Sequence, residues 1–150
     1  MKTNIISILL ATGAILLNLT HLQGQQKGYS LTVKVSDLKN ANGHVQVTLY
    51  NEEGSIPDHD YKRYYELENA EITSNSASVT FHGLAKGTYA VNILHDEDKD
   101  GEIDKGFILP VEGIGFSNFE TIGLRNRPNF KKASFELTTD QTMEITVVYM

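Results

Sequence analysis

Tyr89-Ala90-Val91-Asn92-Ile93-Leu94 runs directly into His95-Asp96-Glu97-Asp98-Lys99-Asp100-Gly101-Glu102-Ile103-Asp104, and the reading of this junction decides the fold. The second stretch has the ligand order of a calcium loop. Side-chain oxygens fall at positions 1, 3, 5 and 9, glycine at 6 and a backbone carbonyl at 7. Here these are Asp96, Asp98, Asp100, Asp104, Gly101 and Glu102. Carboxylates at alternate positions of a curled loop can converge on one point, and the glycine permits the turn that curls it. Acids packed this densely repel one another, which a cation relieves. Position 12, where a helix–loop–helix calcium site carries a bidentate glutamate, is Phe107. The flanks disagree with helices too. Residues 89–94 read as strand, and Pro110 ends any regular helix after the loop. The reading is therefore a calcium loop set between β elements.

Hard oxygen ligands, with no cysteine and no histidine inside the loop, favour calcium over zinc or copper. The missing ligand is open to Glu112, Glu97, a carbonyl or water. The bland alternative is a solvated acidic turn that binds nothing.

At 150 residues the chain has room for one domain after a leader. Lys2 supplies a short positive start, residues 5–17 an apolar run, and Leu22-Gln23-Gly24 a small-residue cleavage site. We therefore expect a signal peptide over 1–24, and a single domain over 25–150 with the acidic loop at 96–104. The apolar run is shorter than the roughly 20 residues a membrane span needs, so no span is expected after cleavage. The net charge is −6, and losing Lys2 makes it one unit more negative. That balance argues against a nucleic-acid partner. There are no cysteines, so no disulfide can staple an exported domain. A bound metal can supply part of that stabilisation.

Along the chain, Leu31, Val33 and Val35 alternate with polar residues, as do Val45, Val47 and Leu49 beyond Asn42-Gly43. Strand, turn signal and strand predict an opening hairpin. Residues 51–60 are a polar loop, and 61–70 read as an irregular segment followed by a strand. The tyrosines there are expected to pack in the core or at its rim. Ala77, Val79 and Phe81 give another strand. Residues 89–94 are apolar on nearly both faces, which places them near the centre of a sheet. Residues 133–137 and 143–149 alternate as two closing strands. Six to seven short strands without a convincing long helix predict an all-β, antiparallel β-sandwich of immunoglobulin-like or prealbumin-like type, with a barrel as alternative.

Other chemistry is thinner. His95 adjoins the first acid, but Gly115-Phe116-Ser117-Asn118 lacks the second glycine of a nucleophile elbow. His95 is read as a structural hydrogen-bonding residue. His44, His59 and His82 suggest no shared site. Gly113-Ile114-Gly115 reads as a turn folding back beside the acidic loop, with Ser117 and Asn118 bonding the backbone. Arg125, Arg127, Lys131 and Lys132 form a basic cluster, either solvated or able to grip an anionic glycan or peptide.

The stretches Leu84-Ala85-Lys86-Gly87-Thr88-Tyr89-Ala90-Val91, His95 to Asp104, Pro110 to Asn118 and Pro128 to Phe135 resemble, in order and spacing, one family. It comprises small exported bacterial proteins known as domain of unknown function 2141. The resemblance implies a secreted β-sandwich and brings no activity with it. The start Gly87-Thr88-Tyr89-Ala90-Val91 is also similar to prealbumin-like surface modules. The expected function is a non-catalytic, calcium-stabilised exported module, binding a protein or glycan at the cell envelope or serving a structural role. The alternative is a metal-dependent hydrolase acting on a glycan, with His95, Glu112 and Asp104 as its acid–base set.

Overall fold

A computed structural model of the protein describes residues 28–103 and 112–150. The leader reading and Asp104 lie outside these residues. Among them are eight strands: β1 (Tyr29–Val35), β2 (His44–Tyr50), β3 (Glu66–Ala70), β4 (Ala77–Leu84), β5 (Gly87–Asp96), β6 (Gly113–Phe116), β7 (Phe135–Leu137) and β8 (Gln141–Glu144). A single helical turn, α1 (Phe130–Ala133), precedes β7. The smaller sheet has the order β4-β1-β8, and the larger β3-β2-β5-β6 with β7 pairing the start of β5. The protein is all-β, two sheets sharing one core, an arrangement consistent with a β-sandwich.

The alternation of the opening strands explains the core. Leu31, Val33 and Val35 meet Val79 and Phe81 of the smaller sheet, and Val45, Val47, Leu49, Val91 and Ile93 of the larger. The expected hairpin does not form. β1 and β2 belong to different sheets, each offering its apolar face to the shared core from its own side. The linker of residues 36–43 arches between the sheets over buried Leu38. Nor is every pairing antiparallel: β1 runs antiparallel to β4 but parallel to β8. The second closing strand is also shorter than expected, ending at Glu144.

The larger sheet is covered on its outer face as well. Tyr50 and Ala90 pack there with Ile56, Phe119, Phe130 and Ala133, and Leu94 with Tyr61 and Ile114. Two excursions of the chain, residues 51–65 and 117–134, supply this cover. Burial on both faces is why β5 carries no polar alternation, as predicted for a central strand. Each excursion is tied internally. Asp58 accepts the Arg63 amide at 2.7 Å, and the Arg63 guanidinium donates to the carbonyls of Gly54 and Pro57. In the second, the Ser117 hydroxyl donates to the Ala133 carbonyl at 2.6 Å and accepts the Val91 amide at 2.9 Å. Asn118 donates to the carbonyls of Ala133 and Ser134. These are the backbone bonds expected of the pair. Tyr61 is buried, whereas Tyr64 and Tyr65 are about half exposed.

Gly113-Ile114-Gly115 is strand rather than turn. β6 pairs with β5, with Gly113 opposite His95 and Gly115 opposite Ile93. Its glycines serve close approach. A Cβ on Gly113 would meet Val147 and Tyr149 side chains at 2.4 Å, and one on Gly115 the Thr146 carbonyl oxygen at 2.6 Å. Residues 145–149 therefore lie directly against β6, bonded through Ile114 and Val148. No helix among the described residues is long and apolar enough to cross a membrane.

Candidate metal centre

Strand register assembles the site. His44 of β2 pairs with Asp96 of β5, and His95 pairs with Gly113 of β6, so Glu112, one residue earlier, falls opposite Asp96. Directly opposed residues share a face. His44, Asp96 and Glu112 thus form one row across the outer face of the larger sheet. The next row inward is Gln46, Leu94 and Ile114.

Beyond Asp96 the chain curls as its sequence implies. The two Asp96 carboxylate oxygens accept the Lys99 amide at 2.7 Å and the Gly101 amide at 3.0 Å. Lys99 and Gly101 turn the chain with φ of 66° and 76°. Asp98 accepts the Asp100 amide at 3.1 Å, and Asp100 the Glu102 amide at 2.8 Å. The Glu97 amide donates to Glu112 Oε1 at 2.7 Å, locking the loop to the residue that precedes β6.

Ligand oxygens of Asp96, Asp98 and Glu112 all lie within 4.8 Å of one another. Asp96 and Glu112 are buried, Asp98 exposed. Two unit negative charges at up to 4.8 Å repel by about 3 kcal/mol at an effective dielectric of about 20. Backbone amides offset part of this, and a divalent cation would reverse its sign. Of the residues expected from spacing, Asp96 and Asp98 enter this group. The exposed Asp100 carboxylate lies outside it, and the Glu102 side chain is also exposed. Glu97 points elsewhere, bonded to Lys39 Nζ at 3.1 Å and Asn40 Nδ2 at 2.8 Å in the arch. Burial works against its ionisation, but the bonds from Asn40 and Lys39 and the Lys39 charge outweigh it and hold its carboxyl below the usual range. Of the two side chains left open, Glu112 joins the group and Glu97 does not.

His44 was not foreseen. Its Nε2 stands 3.3 Å from Asp96 Oδ2, a close polar contact without hydrogen-bond geometry. The signal was its place at the start of a strand, which the hairpin reading paired with β1 instead of β5.

His95 faces the opposite side of the sheet. Its Nε2 donates to the Asn42 carbonyl at 3.0 Å, and its Nδ1 meets the Tyr149 hydroxyl at 2.7 Å. Because a carbonyl only accepts, Nε2 carries the proton and Nδ1 accepts that of Tyr149. The Tyr149 oxygen in turn accepts the Lys39 amide. Both ring nitrogens are engaged, away from the carboxylates, so His95 does not form an acid–base set with Glu112. The basic residues Arg125, Arg127, Lys131 and Lys132 are exposed on the second excursion and make no ion pair among the described residues.

The profile of a family described as an uncharacterized protein conserved in bacteria (DUF2141) matches residues 33–146. The chain belongs to that family. The match runs through the arch, both central strands, the acidic loop and β6, so the whole site lies within the DUF2141 region. No curated protein matches the chain, and no solved structure does.

Proposed function

We propose that this DUF2141 protein is a non-catalytic, exported β-sandwich module, of immunoglobulin-like or prealbumin-like type, whose acidic loop is ordered by calcium. Its working place is the periplasm or the cell surface, where it binds a protein or glycan or serves a structural role. The observation that carries the proposal is the convergence of Asp96, Asp98 and Glu112 from two separate segments onto one focus. An all-oxygen donor set suits a hard cation, and calcium tolerates the irregular geometry that such a set offers. The Glu102 carbonyl and Asp104 remain ligands of the proposal on the strength of the loop spacing. The engagement of both His95 nitrogens supports a module without acid–base chemistry.

Titrating chelated protein with calcium tests the reading. At free calcium ten times the dissociation constant, binding adds about 1.4 kcal/mol to stability. That raises the melting temperature by about 3–5 °C for a domain of this size. Proteolysis at residues 97–103 slows in parallel. A melting temperature and a cleavage rate both indifferent to calcium would remove the metal from the account.

A further inference from the structure

Next to the acidic row, two polar groups are buried without a hydrogen-bond partner among the described residues: the Tyr61 hydroxyl and the Gln46 amide nitrogen. Tyr61 is 8 % exposed and Gln46 3 %. Leaving such a group unsatisfied forfeits the hydrogen bond it makes in water, so each calls for a partner. Both stand at the second row of the outer face. Gln46 is a member of that row, and its Oε1 lies 4.0 Å from where a Cβ of Gly101 would be, directly under the acidic loop. Tyr61 packs on the other two members, Leu94 and Ile114. Burial first, then the charges of Glu112, Asp58 and Asp96, push its phenol up.

A calcium ion takes six to eight oxygens. With one converging oxygen each, Asp96, Asp98 and Glu112 do not supply that many, and Asp100 and the Glu102 side chain sit on the exposed side. On the buried side stand a phenol and a side-chain amide, whose unpartnered O–H and N–H are fit to hold a ligand. Building on the calcium reading above, we infer that Tyr61 and Gln46 hold a water molecule in the coordination sphere of the ion, on its buried side. The bonding closes. One water lone pair goes to the ion and the other accepts from Gln46 Nε2. One water proton goes to Tyr61 Oη and the other to a carboxylate, while the Tyr61 proton goes to a second carboxylate oxygen. Tyr61 and Gln46 are then positioning residues, and the ion ties the first excursion to the loop and to β6.

Lanthanide substitution tests this in the full chain. Terbium bound at the site is sensitised by a tyrosine close to it, and calcium displaces it. Tyr61→Phe keeps the ring and removes the hydroxyl and its long-wavelength absorption, so most of the tyrosine-excited emission is lost. Europium lifetimes in light and heavy water report at least one coordinated water in the wild type. Tyr61→Phe and Gln46→Leu each weaken calcium binding about tenfold, the usual cost of removing a group that orients a ligand. Their melting temperatures in chelator stay at or above the wild-type value. Emission that survives Tyr61→Phe, a europium site without water, or calcium affinity unchanged in both variants overturns the inference. A wild type that takes up neither calcium nor terbium defeats the calcium reading itself, an outcome none of these resembles.

Discussion

Asp96 is fully buried, accepts two backbone amides, faces His44 at 3.3 Å and stands beside Glu112. One carboxylate thereby closes the loop and anchors the acid group. Glu112 contributes the second buried charge, and its replacement separates metal binding from packing. Glu112→Gln retains an oxygen for the Glu97 amide and removes one negative charge. Calorimetric titration is expected to show calcium affinity reduced by about tenfold or more, because ligand charge sets affinity in oxygen sites. A variant with normal affinity would exclude Glu112 as a ligand. At this scale the sequence was half legible. Asp96 and Asp98 follow from spacing because a curled acidic loop is a local pattern. Glu112, one of the open candidates, and His44, which was not foreseen, come there through strand register, which no local spacing encodes, and Asp100 satisfies the spacing yet lies outside the group.

β6 shows how an element can be hidden by what it lacks. Its glycines offer no alternating side chains, so Gly113-Ile114-Gly115 looks like a turn. The same glycines are what admit residues 145–149 against the sheet. Gly115→Ala places a Cβ 2.6 Å from the Thr146 carbonyl oxygen, a backbone atom with little room to yield. We expect a loss of about 2 kcal/mol, as for overpacking in a tight interior, measured by urea unfolding. A loss well under half of that would mean the 145–149 segment yields easily. The strands with regular alternation were legible, as was the central place of β5. The hairpin was not. Asn42-Gly43 permits a turn, but Leu38 in the linker is buried, and two apolar faces of similar length can meet across a core as readily as they can share an edge.

The molecule as a whole buries the larger sheet on both faces, and the outer cover carries phenols. Burial, the Asp58 charge and Tyr61 push the Tyr50 phenol up, and burial with Glu112, Asp58 and Asp96 does so for Tyr61. In the unfolded chain both ionise near pH 10. A folded pKa above the unfolded one means the native state holds its proton longer. The associated stability is therefore complete below about pH 10 and is lost as pH rises through the folded values. Tyrosinate absorbance followed beside circular dichroism should show some of the seven tyrosines titrating early, and Tyr50 and Tyr61 only with loss of structure. All seven ionising reversibly with the fold intact would contradict the burial described. The parallel pairing of β1 with β8 has a further bearing, on the order of assembly. Leu31 and Val33 find Gln141 and Met143 across more than a hundred residues of chain, so a polypeptide emerging amino end first holds its opening strand half-partnered until 141–144 follow. Until that moment one flank of β1 is an open edge, and whatever receives the nascent protein must keep neighbours from claiming it.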